Sequence, residues 1–177
     1  MRRLNWIAVG LVAALGATSV ALASESRARE TTAVSATFTA APSGTVASRT
    51  CTGADGTYQI TRGLYTGTVT GSDVLAGSAR IRAKSVYNTS EGLGVVSGAL
   101  VVRDAADHGK FHGYFTAVNK GGTLSGTLAG LAREPRRAVF GTFSADFGSS
   151  GFAAGKVGTG SVSGSAIALQ GRSCQGS

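Results

Sequence analysis

The stretch Gly77-Ser78-Ala79-Arg80-Ile81-Arg82-Ala83-Lys84 alternates small or apolar residues with polar ones. Because successive side chains of a β-strand point to opposite faces, this alternation predicts a strand with one buried face. The opposite face would carry Arg80, Arg82 and Lys84. The stretch therefore predicts a β-protein with a basic row on its surface.

The same alternation recurs along the chain, with a glycine inside each apolar stretch. In residues 110–118, Phe111 and Phe115 share a face, and in residues 139–147 Phe143 lies on the apolar face. The recurring glycines stand mostly 9 to 15 residues apart: Gly67, Gly77, Gly98, Gly113, Gly126, Gly141, Gly155 and Gly164. Short strands at this spacing, separated by turn residues, predict an all-β fold with almost no helix. We interpret it as a single antiparallel β-barrel of about eight strands, with a β-sandwich as the alternative.

The glycines on the apolar faces need an explanation, because glycine weakens a strand. In a small closed barrel, an inward glycine lets the sheet curve and leaves room for a neighbouring phenylalanine. The alternative is that the glycines open an internal cavity for an apolar ligand. We favour the packing explanation.

The N-terminal region has the pattern of a secretory signal peptide. Arg2 and Arg3 precede an apolar run, and Ala21-Leu22-Ala23 fits the cleavage rule, so residues 1–23 are predicted to be removed after Ala23. No other stretch has the roughly 20 apolar residues of a spanning helix, so no membrane span is expected after cleavage. Residues 24–44 are a Ser/Thr/Ala-rich spacer that allows one strand through Val34, Ala36 and Phe38, and residues 45–177 form the barrel domain. The protein is thus predicted to be secreted, and its composition suggests a bacterial source.

The chain has two cysteines, Cys51 and Cys174, near the two ends of the repetitive region. In the oxidising environment that export implies, they are predicted to form a disulfide that closes the barrel domain.

Familiar catalytic motifs are missing from the sequence, and we predict neither a cofactor nor a metal site. Asp104, Asp107 and His108 are interpreted as a solvated turn. An acid–base site would depend on His112, Tyr114, Arg82 and Asp146 converging in space.

Positive charge is the other feature that bears on function. The chain has a net charge of +8, and loss of Arg2 and Arg3 leaves 15 basic against 9 acidic residues, a net charge of +6. The candidate ligand-binding cations are Arg80, Arg82, Lys84, Arg133, Arg136 and Arg137. They predict an anionic envelope polymer as a partner, whereas a small apolar ligand inside the barrel is the other candidate. No specific nucleic-acid binding is expected, because few aromatic residues accompany the basic ones.

The glycine-bearing strands and the export signal resemble the eight-stranded barrels of the dirigent and allene oxide cyclase-like group. Gly121-Gly122-Thr123-Leu124-Ser125-Gly126 is similar to the glycine-rich strand motif of that group. The resemblance implies a barrel and, as an alternative function, a small isomerase or cyclase, but it assigns no catalytic residue. The leading expectation is a non-catalytic extracytoplasmic binding or envelope-associated module.

Overall fold

The computed structural model describes residues 31–146 and 158–168, and within them the chain forms strands and turns without a helix. The strands are β1 (Thr31–Pro42), β2 (Ala47–Gly53), β3 (Gly56–Gly71), β4 (Gly77–Asn88), β5 (Leu93–Arg103), β6 (Gly109–Lys120), β7 (Thr123–Ala132), β8 (Arg137–Asp146) and β9 (Gly158–Ala168).

The strands form one antiparallel sheet that closes into an eight-stranded barrel. Its order is β1-β9-β8-β7-β6-β5-β4-β3, and β1 also pairs with β3, which completes the ring. The remaining strand, β2, is not part of this ring. It pairs with the first half of β3, while β1 pairs with the second half. The predicted all-β barrel is therefore confirmed, and the sandwich alternative is wrong.

The stagger of the strands sets the shape of the barrel. From Thr31, the paired residues lead through β9, β8, β7, β6, β5, β4 and β3 back to Ala41, ten residues further along β1. For eight strands, this offset corresponds to a tilt of about 40° from the barrel axis, as in other closed barrels. A row of residues that are paired across successive strands therefore winds around the barrel wall instead of closing on itself.

The barrel interior is packed with apolar side chains, and several phenylalanines lie over glycines of the neighbouring strand. Phe115 is paired with Gly98, and a Cβ atom added to Gly98 would lie 2.6 Å from the Phe115 ring. Phe143 is likewise paired with Gly126, and it packs edge-on against Phe115 with ring centroids 5.7 Å apart. The Phe115 ring thus takes the space that a side chain at Gly98 would need, which agrees with the packing explanation at that position.

The structure differs from the sequence-based segmentation in the first third of the barrel. β1 lies within residues 24–44, the predicted spacer that allowed one strand, and its pairing with β9 makes it part of the barrel, which was predicted to start at residue 45. The sequence alone predicts two strands in this region, at 57–60 and 64–70, whereas the structure has the single strand β3 across both. β2 was not predicted because every one of its residues is exposed, so it has no apolar alternation. The predicted signal peptide lies outside the described residues, and so does the stretch 151–157, for which the sequence alone predicts a further strand.

The structure describes only one of the two predicted disulfide partners. Cys51 is exposed on β2 opposite Tyr58, whereas Cys174 lies outside the described residues, six positions after the end of β9 at Ala168. Because Ala166 pairs with Thr32, the register puts the end of β9 beside the start of β1, roughly 40 Å along the barrel axis from Cys51. Because the six residues from Ala168 to Cys174 span at most about 22 Å, this register disfavours the predicted pairing, although no described contact tests it directly.

Candidate functional site

The pairing register brings two groups of candidate residues onto one stretch of the outer wall. β5 lies between β4 and β6, and each of its outward residues is flanked by one residue from each neighbour. We define the β5 trough by three such rows, Arg80–Val101–His112, Arg82–Ala99–Tyr114 and Lys84–Ser97–Thr116.

The trough exists because its two walls carry longer side chains than much of its floor. The floor strand contributes Ser97 and Ala99, whereas β4 contributes Arg82 and Lys84 on one side and β6 contributes Tyr114 on the other. The walls lie two strand spacings apart, about 10 Å, and successive rows are about 6.6 Å apart along the strands. This width suits one extended chain lying along the strands.

The wall on β4 is a row of free cations. Arg80, Arg82 and Lys84 are exposed, and none of them has a carboxylate within ion-pair distance among the residues that the structure describes. Arg62 of β3 is paired with Lys84 and adds a fourth positive charge beside the trough. This concentration of unopposed charge produces a local positive potential that attracts anions.

The wall on β6 is aromatic. Tyr114 points outward and 76% of its surface is exposed, which is far more than for the inward-facing Phe115 beside it. Its ring stands across Ala99 from the Arg82 side chain. An exposed ring beside cations can stack on a flat group while the cations hold its charge.

Sequence analysis missed two parts of this site. Arg62 fell between two segments that were predicted as separate strands, although β3 runs through it without a break. The opposition of Tyr114 to Arg82 depends on the pairing of β4 with β5 and of β5 with β6. Alternation within one strand carries no information about that pairing.

The second predicted basic cluster lies apart from the trough. Arg133 and Arg136 belong to the connection between β7 and β8, and Arg137 begins β8. Arg137 donates a hydrogen bond from Nη1 to the Thr32 hydroxyl at 3.1 Å. The six candidate cations therefore form two sites rather than one.

The four candidate acid–base residues do not all converge. Tyr114 is in register with Ala129 and Phe140, and Asp146 lies six residues beyond Phe140 on β8, or about 20 Å along the strand. Arg82, His112 and Tyr114 share the trough, but its rows contain no carboxylate. The arrangement lacks the carboxylate on which the acid–base hypothesis depended.

The carboxylates of the β5–β6 connection take part in the structure of that loop. Asp104 accepts hydrogen bonds from the backbone N–H groups of Ala106 and His108, each at 2.9 Å. The bond from His108 is the main reason that the pKa of Asp104 is lowered. Asp107 pairs with Arg103 at 2.8 Å. Both carboxylates hold the turn in place, which agrees with its interpretation as a solvated turn.

Comparisons of the chain with protein-family models, with curated proteins and with solved structures found no match. Among residues 31–146 and 158–168, no helix is long and apolar enough to cross a membrane.

Proposed function

We propose that the protein is an exported, non-catalytic module that binds an anionic envelope polymer in the β5 trough. The observation that carries the proposal is the row of Arg80, Arg82 and Lys84, which faces Tyr114 across a floor of small residues without a neighbouring carboxylate in the described part of the chain. The export signal predicted for residues 1–23 would bring such a module to the polymers outside the cell.

The geometry of the row specifies the kind of polymer. Alternate residues of a strand repeat about every 6.6 Å, so the three cations match an extended chain with an anionic group at a similar repeat. Phosphodiester and uronate chains both carry such groups, and Tyr114 offers a surface for the sugar or linker between them. In this proposal the three cations provide most of the affinity for the polymer, whereas the Tyr114 ring favours one orientation of the bound polymer.

The test measures binding to a poly(glycerol phosphate) matrix, which carries phosphodiester groups, and to a polyuronate matrix over a range of salt concentrations. The variant R80S/R82S/K84S is compared with R133S/R136S/R137S, which loses the same charge elsewhere. By the counterion release known for single-stranded nucleic acids, loss of three contacts lowers the salt slope by about 2. A slope of that size makes affinity fall about twentyfold between 50 and 200 mM salt.

The trough variant is expected to lose this salt-dependent component, and the β7–β8 variant is expected to retain it. Whichever matrix shows the larger difference identifies the anionic group. Equal losses in the two variants would mean that retention reflects net charge alone, and the proposal would then be wrong. Tyr114→Ser provides a further test, because it should weaken binding while leaving the salt slope unchanged.

A further inference from the structure

A second feature of the outer wall lies on β7 and β8, beyond the β6 wall of the β5 trough. Two neighbouring rows of paired residues are apolar there, Leu131–Ala138–Ile167 and Ala129–Phe140. We call these five residues the β7–β8 patch. Leu131 and Phe140 leave 48% and 52% of their surfaces exposed, so about half of each side chain is open to a partner.

The patch is continuous. Leu131 and Phe140 are diagonal neighbours across the strand pair, and side chains in that relation lie about 7 Å apart, within reach of each other. Ala129 and Ala138 complete the square of outward positions, so no polar side chain separates the two larger residues. Scattered exposed apolar residues need no explanation, whereas adjoining ones can mark an interaction surface. Because the patch is confined to two adjacent strands and the edge of β9, it can meet one flat surface in spite of the barrel's curvature.

Positive charge borders the patch at one end. The turn between β7 and β8 carries Arg133 and Arg136, each two positions from the nearest patch residue, and both are exposed. Arg133 is tied to β6, because its N–H donates to the Lys110 carbonyl oxygen at 2.9 Å. In the part of the chain that the structure describes, neither arginine has a carboxylate within ion-pair distance, although Glu134 lies between them in sequence. The patch therefore has unopposed cations along its edge.

This combination specifies the chemistry of the partner. A partner must offer an apolar region to Leu131 and Phe140 and negative charge to the adjoining arginines. An anionic lipid bilayer offers both, because peripheral proteins bury apolar groups about 5–10 Å into the boundary of headgroups and acyl chains while their cations stay at the headgroups. A second copy of the chain fits poorly, since the patch facing itself would bring together two arginines and one glutamate from each copy.

We propose that the β7–β8 patch docks the protein on the surface of an anionic lipid bilayer. Leu131 and Phe140 enter the boundary between headgroups and acyl chains, and Arg133 and Arg136 contact lipid phosphates. Docking is independent of polymer binding, because none of the cations of the β5 trough takes part. The centre of the patch lies two to three strands from β5, or about 110° around an eight-stranded barrel, so the trough stays accessible on a docked protein.

The test measures the partition of the protein onto vesicles of phosphatidylcholine with and without phosphatidylglycerol. The wild type is expected to bind the anionic vesicles more tightly than the neutral ones. Each arginine near an anionic surface contributes a factor of about five, so R133S/R136S should bind the anionic vesicles about 25-fold more weakly. L131S/F140S should bind them at least about tenfold more weakly, because it loses the burial of two half-exposed apolar side chains.

The matched control is V95S/V118S. It removes two apolar side chains from the outer faces of β5 and β6, where they are 56% and 54% exposed, and it should bind vesicles like the wild type. Circular dichroism melts of all variants check that no loss of binding comes from unfolding.

A fluorescent reporter tests the contact with lipid without removing the patch. Trp6 is the single tryptophan of the chain and lies in the predicted signal peptide, so Phe140→Trp gives the mature protein one tryptophan. Its emission should shift to shorter wavelength on anionic vesicles and be quenched by brominated lipid, whereas that of Val95→Trp should do neither. Soluble poly(glycerol phosphate) should leave the emission of Phe140→Trp unchanged.

The proposal is overturned if the wild type binds the two kinds of vesicle equally, or if V95S/V118S loses as much binding as L131S/F140S. It is also overturned if L131S/F140S binds vesicles as before, or if light scattering shows a wild-type dimer that this variant dissociates, because the patch would then serve a second copy. Binding of poly(glycerol phosphate) in the β5 trough does not depend on the patch, so the two proposals can fail separately.

Discussion

Replacing Phe143 with alanine tests which face of β8 is buried. Phe143 points into the barrel, lies opposite Gly126 and packs edge-on against Phe115. Truncation removes this contact and enlarges an interior cavity that the ring already lines. Loss of a buried phenylalanine costs about 3 to 5 kcal/mol, and we expect the lower half of that range because the ring is only partly buried.

The matched control is Phe140→Ala on the same strand. Phe140 lies on the outer wall with 52% of its surface exposed, so its truncation should cost about 1 kcal/mol or less. For a domain of this size, the difference corresponds to a Tm about 10 °C lower for Phe143→Ala than for Phe140→Ala.

Urea unfolding and thermal melts followed by circular dichroism measure both variants. Equal losses, or a larger loss for Phe140→Ala, would refute the assigned faces. A slip of β8 by one residue would produce that reversal, since it moves every side chain to the opposite face.

Three further predictions concern single groups. Because the folded-state pKa of Tyr65 is raised to about 12, we expect stability to fall as pH rises from 10 to 12, and Tyr65→Phe should remove that fall in a pH series of urea midpoints. The pKa of Asp104 is lowered by backbone hydrogen bonds, so its contribution to stability should be present above its unfolded pKa and lost as pH falls through the folded one. NMR titration of its carboxyl checks this, and a midpoint at or above the ordinary value would contradict it. Six residues span at most about 22 Å, much less than the roughly 40 Å between the end of β9 and Cys51. We therefore expect thiol labelling of the non-reduced protein to find no disulfide between Cys51 and Cys174, and an intrachain bridge found by mass spectrometry would refute this placement of β2.

Sequence alternation predicted the strands that have one buried face and one face exposed to solvent. β4 and β8 have buried inner faces and exposed outer residues, so their periodicity is visible in one sequence. β2 has no buried residue and therefore no such signal. β1 was harder to recognise because small residues such as Ala36 and Ala40 form much of its buried face.

The site was predicted in pieces, because its parts lie on different strands. Arg82 was predicted to face outward and Tyr114 was named as an acid–base candidate, but their opposition depends on register across β5. That register is set by turn lengths and by an irregularity between Val102 and Arg103, neither of which alternation reveals.

Amide NMR mapping with a short glycerol phosphate oligomer, which carries phosphodiester groups, tests the central claim most directly. The account predicts shifts concentrated along the outward residues of the β5 trough, centred on Arg82, Ala99 and Tyr114, and absent in R80S/R82S/K84S. Shifts centred instead on Arg133 and Arg136, or spread evenly over the basic surface, would contradict it.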